Sequence, residues 1–107
     1  MTDGKLVRDG IPDIIRASGR HPEVRYLTGE ALIDALGAKL VEEAQEAAEV
    51  IGSREQLVAE LADVHEVLVA LMAATGITTK EIELTAAAKV RQRGGFDDGA
   101  WLVTSSF

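Results

Sequence analysis

The chain reads Glu42-Glu43-Ala44-Gln45-Glu46, then a spacer from Ala47 to Ala59, then Glu60-Leu61-Ala62-Asp63. Glu43 and Glu46, and again Glu60 and Asp63, stand at i and i+3, and on a helix such residues are neighbours on one face. Gly52-Ser53 punctuates the stretch between them. The two pairs are therefore predicted on consecutive helices folded against each other, with four carboxylates converging on one spot. Unpaired, they repel. A hard divalent cation that prefers oxygen, Mg²⁺ or Mn²⁺, relieves the repulsion. A site of that kind suits polyphosphate chemistry.

The helix carrying the first pair is predicted from about Gly29, behind Thr28 as N-cap, to Ile51, with Gly52 as its C-terminal cap. At about 100° per residue, Leu32, Leu36, Leu40, Ala47, Val50 and Ile51 fall on one arc. Glu43 lies inside that arc, Glu46 at its edge and Glu42 well outside it. A glutamate within an apolar stripe is the informative anomaly, because buried carboxylates need a partner. Ser53-Arg54-Glu55-Gln56 has the form of a capping box. It opens a helix to about Thr75, with the stripe Leu57, Leu61, Val64, Leu68, Leu71 and Met72, and with Glu60 and Asp63 on its shoulder. Gly76 ends that helix.

Towards the N-terminus, Ile11-Pro12 suits a first helical turn. The pattern predicts a short helix over 11–17, stopped at Ser18-Gly19. Towards the C-terminus, Thr78-Thr79-Lys80-Glu81 is a second capping box, for a helix from about Thr79 to Gln92 that Arg93-Gly94-Gly95 stops. Val24–Leu27 and Trp101–Val103 have short strand-like compositions that predict a small two-stranded ribbon. The expected fold is all-α: a four-helix bundle in a single domain over residues 1–107.

Composition narrows the function. The five acidic residues of the paired motif, Glu42, Glu43, Glu46, Glu60 and Asp63, account for most of a net charge of −7, and aromatic residues make up 4%. Non-specific nucleic-acid binding needs a basic surface, and single strands need stacking platforms; an acidic chain with few aromatic residues is poorly suited to either. The chain has no cysteine, so disulfides and thiolate metal sites are excluded. With no apolar run of spanning length and no signal-type opening, a cytoplasmic protein without membrane contact is expected.

Each signal has a plainer reading. An acidic helix is often a solvated face. A carboxylate-bridged di-iron bundle is a rival, but it uses Glu-x-x-His, and neither Glu46 nor Glu60 has histidine at +3. An all-oxygen set favours magnesium. His65 is expected as a packed histidine. Lys89 and Arg93, at i and i+4 near the end of the last helix, either offset the helix dipole or contact phosphate. Lys39, one turn before Glu42 and Glu43, suits equally a phosphate contact or a simple i, i+3 salt bridge.

The paired acidic motif resembles the signature of the MazG-like all-α nucleoside triphosphate pyrophosphohydrolases. Lys5-Leu6-Val7-Arg8-Asp9-x-Ile11-Pro12 and Arg93-Gly94-Gly95-Phe96 resemble the opening and closing motifs of one small branch, related to phosphoribosyl-ATP pyrophosphohydrolases. The resemblance spans almost the whole chain. Gly10 departs from it, standing where the branch often has lysine. The resemblance implies hydrolysis of a nucleoside triphosphate to monophosphate and pyrophosphate with Mg²⁺ (or Mn²⁺), and it carries Glu43, Glu46, Glu60 and Asp63 over as metal ligands. Glu42 or Glu43 then takes a proton from the attacking water, and Lys5, Arg8, Lys89 and Arg93 are the candidates for holding the phosphate tail. Removal of abnormal nucleotides is a role consistent with it. The alternative is a non-catalytic helical module that binds nucleotide or metal and works through a protein partner. A chain this short buries limited area, and Val58, Val67 and Val69 widen one helix's apolar arc. A homodimer or higher homo-oligomer is therefore expected.

Overall fold

The computed structural model describes residues 4–104. Its elements are α1 (Ile11–Ala17), α2 (Gly29–Glu49), α3 (Arg54–Thr75) and α4 (Thr79–Arg93). They fall into two compact units, Met1–Gly76 with α1 to α3 and Ile77–Phe107 with α4. The all-α expectation holds.

Local chemistry explains the boundaries. Pro12 sits in the first turn of α1 and is buried, where its missing N–H is not needed. Thr28 is the extended N-cap residue of α2, without a side-chain capping bond. Ser53 Oγ caps α3 by accepting from the Gln56 N–H at 3.4 Å, and Gly76 closes that helix in the left-handed conformation, φ 73°, which glycine adopts without penalty. The box before α4 is reciprocal. The Thr78 N–H donates to Glu81 Oε2 at 2.8 Å, and the Glu81 N–H donates to Thr78 Oγ1 at 3.1 Å.

In the first unit α2 packs lengthwise on α3. Leu36, Glu43 and Ala47 of α2 are buried, with Leu32 and Leu40 half-buried on the same stripe. From α3 the half-buried residues Leu57, Glu60, Val64, Val67 and Leu71 repeat with the three-four spacing of a packed helix.

Several expectations are corrected. α2 ends at Glu49 rather than Ile51. The Val50 N–H bonds back to the Ala47 carbonyl, and the Ser53 N–H bonds to Val50. This tight turn needs no left-handed residue, so Gly52 is not the cap, and Ile51 is 67% exposed. On α3, Leu61 and Leu68 are exposed; Glu60 and Val67, one residue earlier in each case, take their place in the packed stripe. That helix is apolar over so wide an arc that two stripes one residue apart compete, and hydropathy alone favours the leucines. His65 is exposed. The ribbon does not form: neither Val24–Leu27 nor Trp101–Val103 is a strand, and no strand occurs among the described residues. Tyr26 and Trp101 are 80% and 90% exposed, and an isolated pair of short strands is marginal without a surface to pack on. Among the described residues no helix is long and apolar enough to cross a membrane.

Candidate metal centre

Glu43 is the most unusual side chain of the first unit. It stands at the middle of the α2 stripe with 6% of its surface exposed. Lys39, one turn earlier, places Nζ 3.3 Å from Glu43 Oε1 and 3.6 Å from Glu42 Oε1. That satisfies one oxygen of Glu43. The other, Oε2, is buried without a hydrogen-bond partner, and so is Glu60 Oε2 on the facing helix. Buried polar atoms are nearly always paired, and each orphan carries a desolvation penalty. Burial pushes the Glu43 carboxyl above the usual glutamate range; Lys39 opposes the shift and the neighbouring Glu46 adds to it.

Asp63, one turn beyond Glu60, completes a cluster. Glu43, Glu60 and Asp63 each contribute a carboxylate oxygen, all within 4.8 Å of one another. Oxygens on opposite sides of a Mg²⁺ ion stand about 4.2 Å apart, and Ca²⁺-sized ions take slightly wider sets. Two orphaned oxygens and an all-oxygen donor set fit a hard divalent cation. The cluster could hold a metal.

An open cleft of about 280 Å³ runs beside the cluster. The N-terminal segment brings Lys5 and Arg8 to it, and they line it together with Lys39, Glu43, Asp63 and Glu66. Arg8 bonds Asp63 Oδ1 at 2.7 Å. A second cavity of about 390 Å³ shares Val7, Arg8, Lys39, Glu66 and Val67 with the first, and Leu6, Leu32, Leu36 and Ala70 add apolar lining. Cationic side chains, clustered carboxylates and an apolar surface thus adjoin one another.

Of the residues singled out in the sequence, the structure gathers Lys5, Arg8, Glu43, Glu60 and Asp63. Glu46 is half-buried one turn beyond Glu43, close enough to act on its carboxyl but outside the three-oxygen cluster. Glu42 is half-buried and paired with Lys39. Lys89 and Arg93 are exposed in the second unit, towards the end of α4. Sequence reasoning missed Glu66, though Glu60-x-x-Asp63-x-x-Glu66 continues the same spacing along α3. Lys39, whose spacing suits an ion pair and a phosphate contact equally, both pairs with Glu42 and Glu43 and lines the two cavities.

Residues 14–90 match the family model described as phosphoribosyl-ATP pyrophosphohydrolase. The match includes all five acidic residues of the central motif and Lys89; Lys5, Arg8 and Arg93 lie outside it. An uncharacterized protein of Mycolicibacterium smegmatis is 55% identical over 42 residues, which are 39% of this chain and 43% of that protein. The chain therefore spans less than half the length of that relative. No solved structure matches the chain.

Proposed function

Since this chain belongs to the phosphoribosyl-ATP pyrophosphohydrolase family, we propose that it hydrolyses a nucleoside triphosphate between the α and β phosphates, releasing monophosphate and pyrophosphate, with Mg²⁺ as cofactor (Mn²⁺ substituting). The family is one of pyrophosphohydrolases acting on nucleotide-like substrates, within the MazG-like all-α superfamily. The observation that carries the metal-dependent reading is the pair of buried, unpartnered oxygens on Glu43 and Glu60 beside Asp63. The family match runs from α1 into α4, which supports taking the whole chain as one catalytic domain.

Glu43, Glu60 and Asp63 would hold the cation, with Glu46 within reach of Glu43. When bound, a divalent ion there supplies charge neutralisation for phosphate oxygens and a lowered pKa for water. The remaining work falls to side chains. Glu42 or Glu43 accepts the proton of the water that attacks the α-phosphorus. Lys5 and Arg8 stand in the cleft for the phosphate tail and neutralise the leaving pyrophosphate; Lys89 and Arg93 are further candidates for that role. The apolar cavity suits the nucleoside end. Clearing abnormal nucleotides in the cytoplasm is the role we assign. Pyrophosphate release should follow Mg²⁺ addition for at least one member of a panel of ordinary and abnormal triphosphates. Silence across the panel, with nucleotide still bound, would favour the non-catalytic module instead.

Two further expectations follow from the same reading. Millimolar Mg²⁺ should raise the melting temperature. At a hundredfold excess over its dissociation constant, a ligand specific to the native state adds about 2.7 kcal/mol, on the order of 10 °C for a chain of this size. A melting curve indifferent to Mg²⁺ and a flat calorimetric titration would remove the metal site. We also propose a homodimer or higher homo-oligomer. Val58, Leu61, Leu68 and Val69 are 57%, 50%, 41% and 48% exposed along α3, an apolar strip suited to a second copy. Light scattering should return at least the dimer mass, and L61E with L68E should return the monomer. A wild-type monomer at micromolar concentration would contradict the assembly.

A further inference from the structure

Asp63 differs from the other clustered carboxylates in what neutralises it. Glu43 has Lys39 one turn away on its own helix. Asp63 is held from a remote part of the chain, by Arg8 at 2.7 Å. The pair is open to solvent, with 59% of the arginine side chain and 39% of the aspartate side chain exposed. Exposed pairs are weak and screened by salt. The arginine backbone, by contrast, is fastened: the Ile11 N–H donates to the Arg8 carbonyl at 3.0 Å, in the turn that starts α1. The side chain can therefore move while its root stays put, and it already lines both cavities.

A cation bound among Glu43, Glu60 and Asp63 brings a second positive charge against the guanidinium. We propose that Arg8 is a displaceable counter-ion, which neutralises Asp63 in the metal-free protein, yields it to the metal, and then turns onto the phosphate tail of the incoming nucleotide. This inference rests on the cluster being the metal site, as proposed above. A guanidinium fork makes two parallel bonds to phosphate, so the side chain exchanges a weak partner for a stronger one. Metal binding then precedes phosphate binding and favours it, and Arg8 is what couples them.

The test is calorimetry of the full chain with Mn²⁺ alone, then with inorganic triphosphate at saturating Mn²⁺. R8Q should bind Mn²⁺ about threefold more tightly than wild type, the size expected for removing one exposed competing ion pair. It should bind triphosphate about tenfold more weakly, as expected for a lost charge-assisted fork. R8K keeps the pair but not the fork: its Mn²⁺ affinity should stay near wild type while triphosphate binding weakens, a result that serves even should R8Q fold poorly. K5Q removes a cation of the same cleft that is not bonded to Asp63, and should leave Mn²⁺ affinity near wild type. Folded R8Q that binds Mn²⁺ no more tightly than wild type, or K5Q that tightens it equally, would overturn the displacement. Wild-type protein that binds no Mn²⁺ would overturn the metal reading together with this inference.

Discussion

Glutamine in place of Glu43 should leave the chain folded, raise the melting temperature of the metal-free protein, and cut pyrophosphate release on the order of a thousandfold or more. The substitution keeps the size of the side chain and removes one charge from a site where 6% of the residue is exposed. Ionised Glu43 is disfavoured first by burial and then by Glu46, against the pull of Lys39. Its carboxyl therefore stays protonated in the native state to a higher pH than in the unfolded chain. The sign follows from linkage. The stabilisation is fully present below the ordinary glutamate range, where both states are protonated. It is lost as pH rises from that range through the raised native value, above which Glu43 is ionised in both. Glutamine cannot ionise, so in E43Q this decline should disappear. The same charge that burdens the apo protein is what a cation requires, hence the loss of turnover. Asp63→Asn should be comparably inactive. Glu46→Gln should be milder, since Glu46 lies outside the three-oxygen cluster. Melting curves in EDTA across the acid range and pyrophosphate assays decide the matter. An E43Q protein that melts earlier yet turns over normally would make Glu43 a structural partner of Lys39 and nothing more.

Leu36→Ala should be the most damaging change in the helical packing. Leu36 is 5% exposed and, with Ala47, forms the buried apolar centre of the described chain. Truncating a buried leucine costs about 2–5 kcal/mol, and in a chain of this size each kcal/mol shifts the melting temperature by about 4–8 °C. Loss of cooperative unfolding at ambient temperature is within that range. Leu61→Ala makes the contrast: Leu61 is 50% exposed, so its effect should fall on association and vary with protein concentration. Denaturant unfolding at two concentrations separates the two. A tolerant L36A beside a collapsed L61A would place the true core on the other side of α3.

The helices were legible because their signals are local. Pro12, the Ser53 and Thr78 caps and Gly76 act within a turn of where they stand, and the burial of Glu43 followed from the three-four spacing of its apolar neighbours. What escaped were choices between near-equal partners in space. On α3 the leucine stripe through Leu61 and Leu68 outscores the stripe through Glu60 and Val67, yet the latter is the half-buried one. Periodicity ranks faces by hydropathy and cannot see that a facing helix brings its own buried glutamate. The bond from Arg8 to Asp63 was out of reach for a different reason: it joins an irregular segment to a helix far along the chain, and no spacing rule links them. Glu66 is legible from spacing, since it repeats the Glu60-x-x-Asp63 step once more along α3.

The three clustered carboxylates come from one helical hairpin, closed by the short connection Val50-Ile51-Gly52-Ser53. Contacts of that kind are local along the chain, and local contacts form fast. The hairpin ends at Thr75, so all three carboxylates lie within it and ahead of α4 in the order of synthesis. A cation arriving ahead of α4 would meet all three carboxylates already present, and would tie α2 to α3 at the point where their charges otherwise push them apart. The ion would thus be a folding partner of the nascent chain before it was ever a reagent.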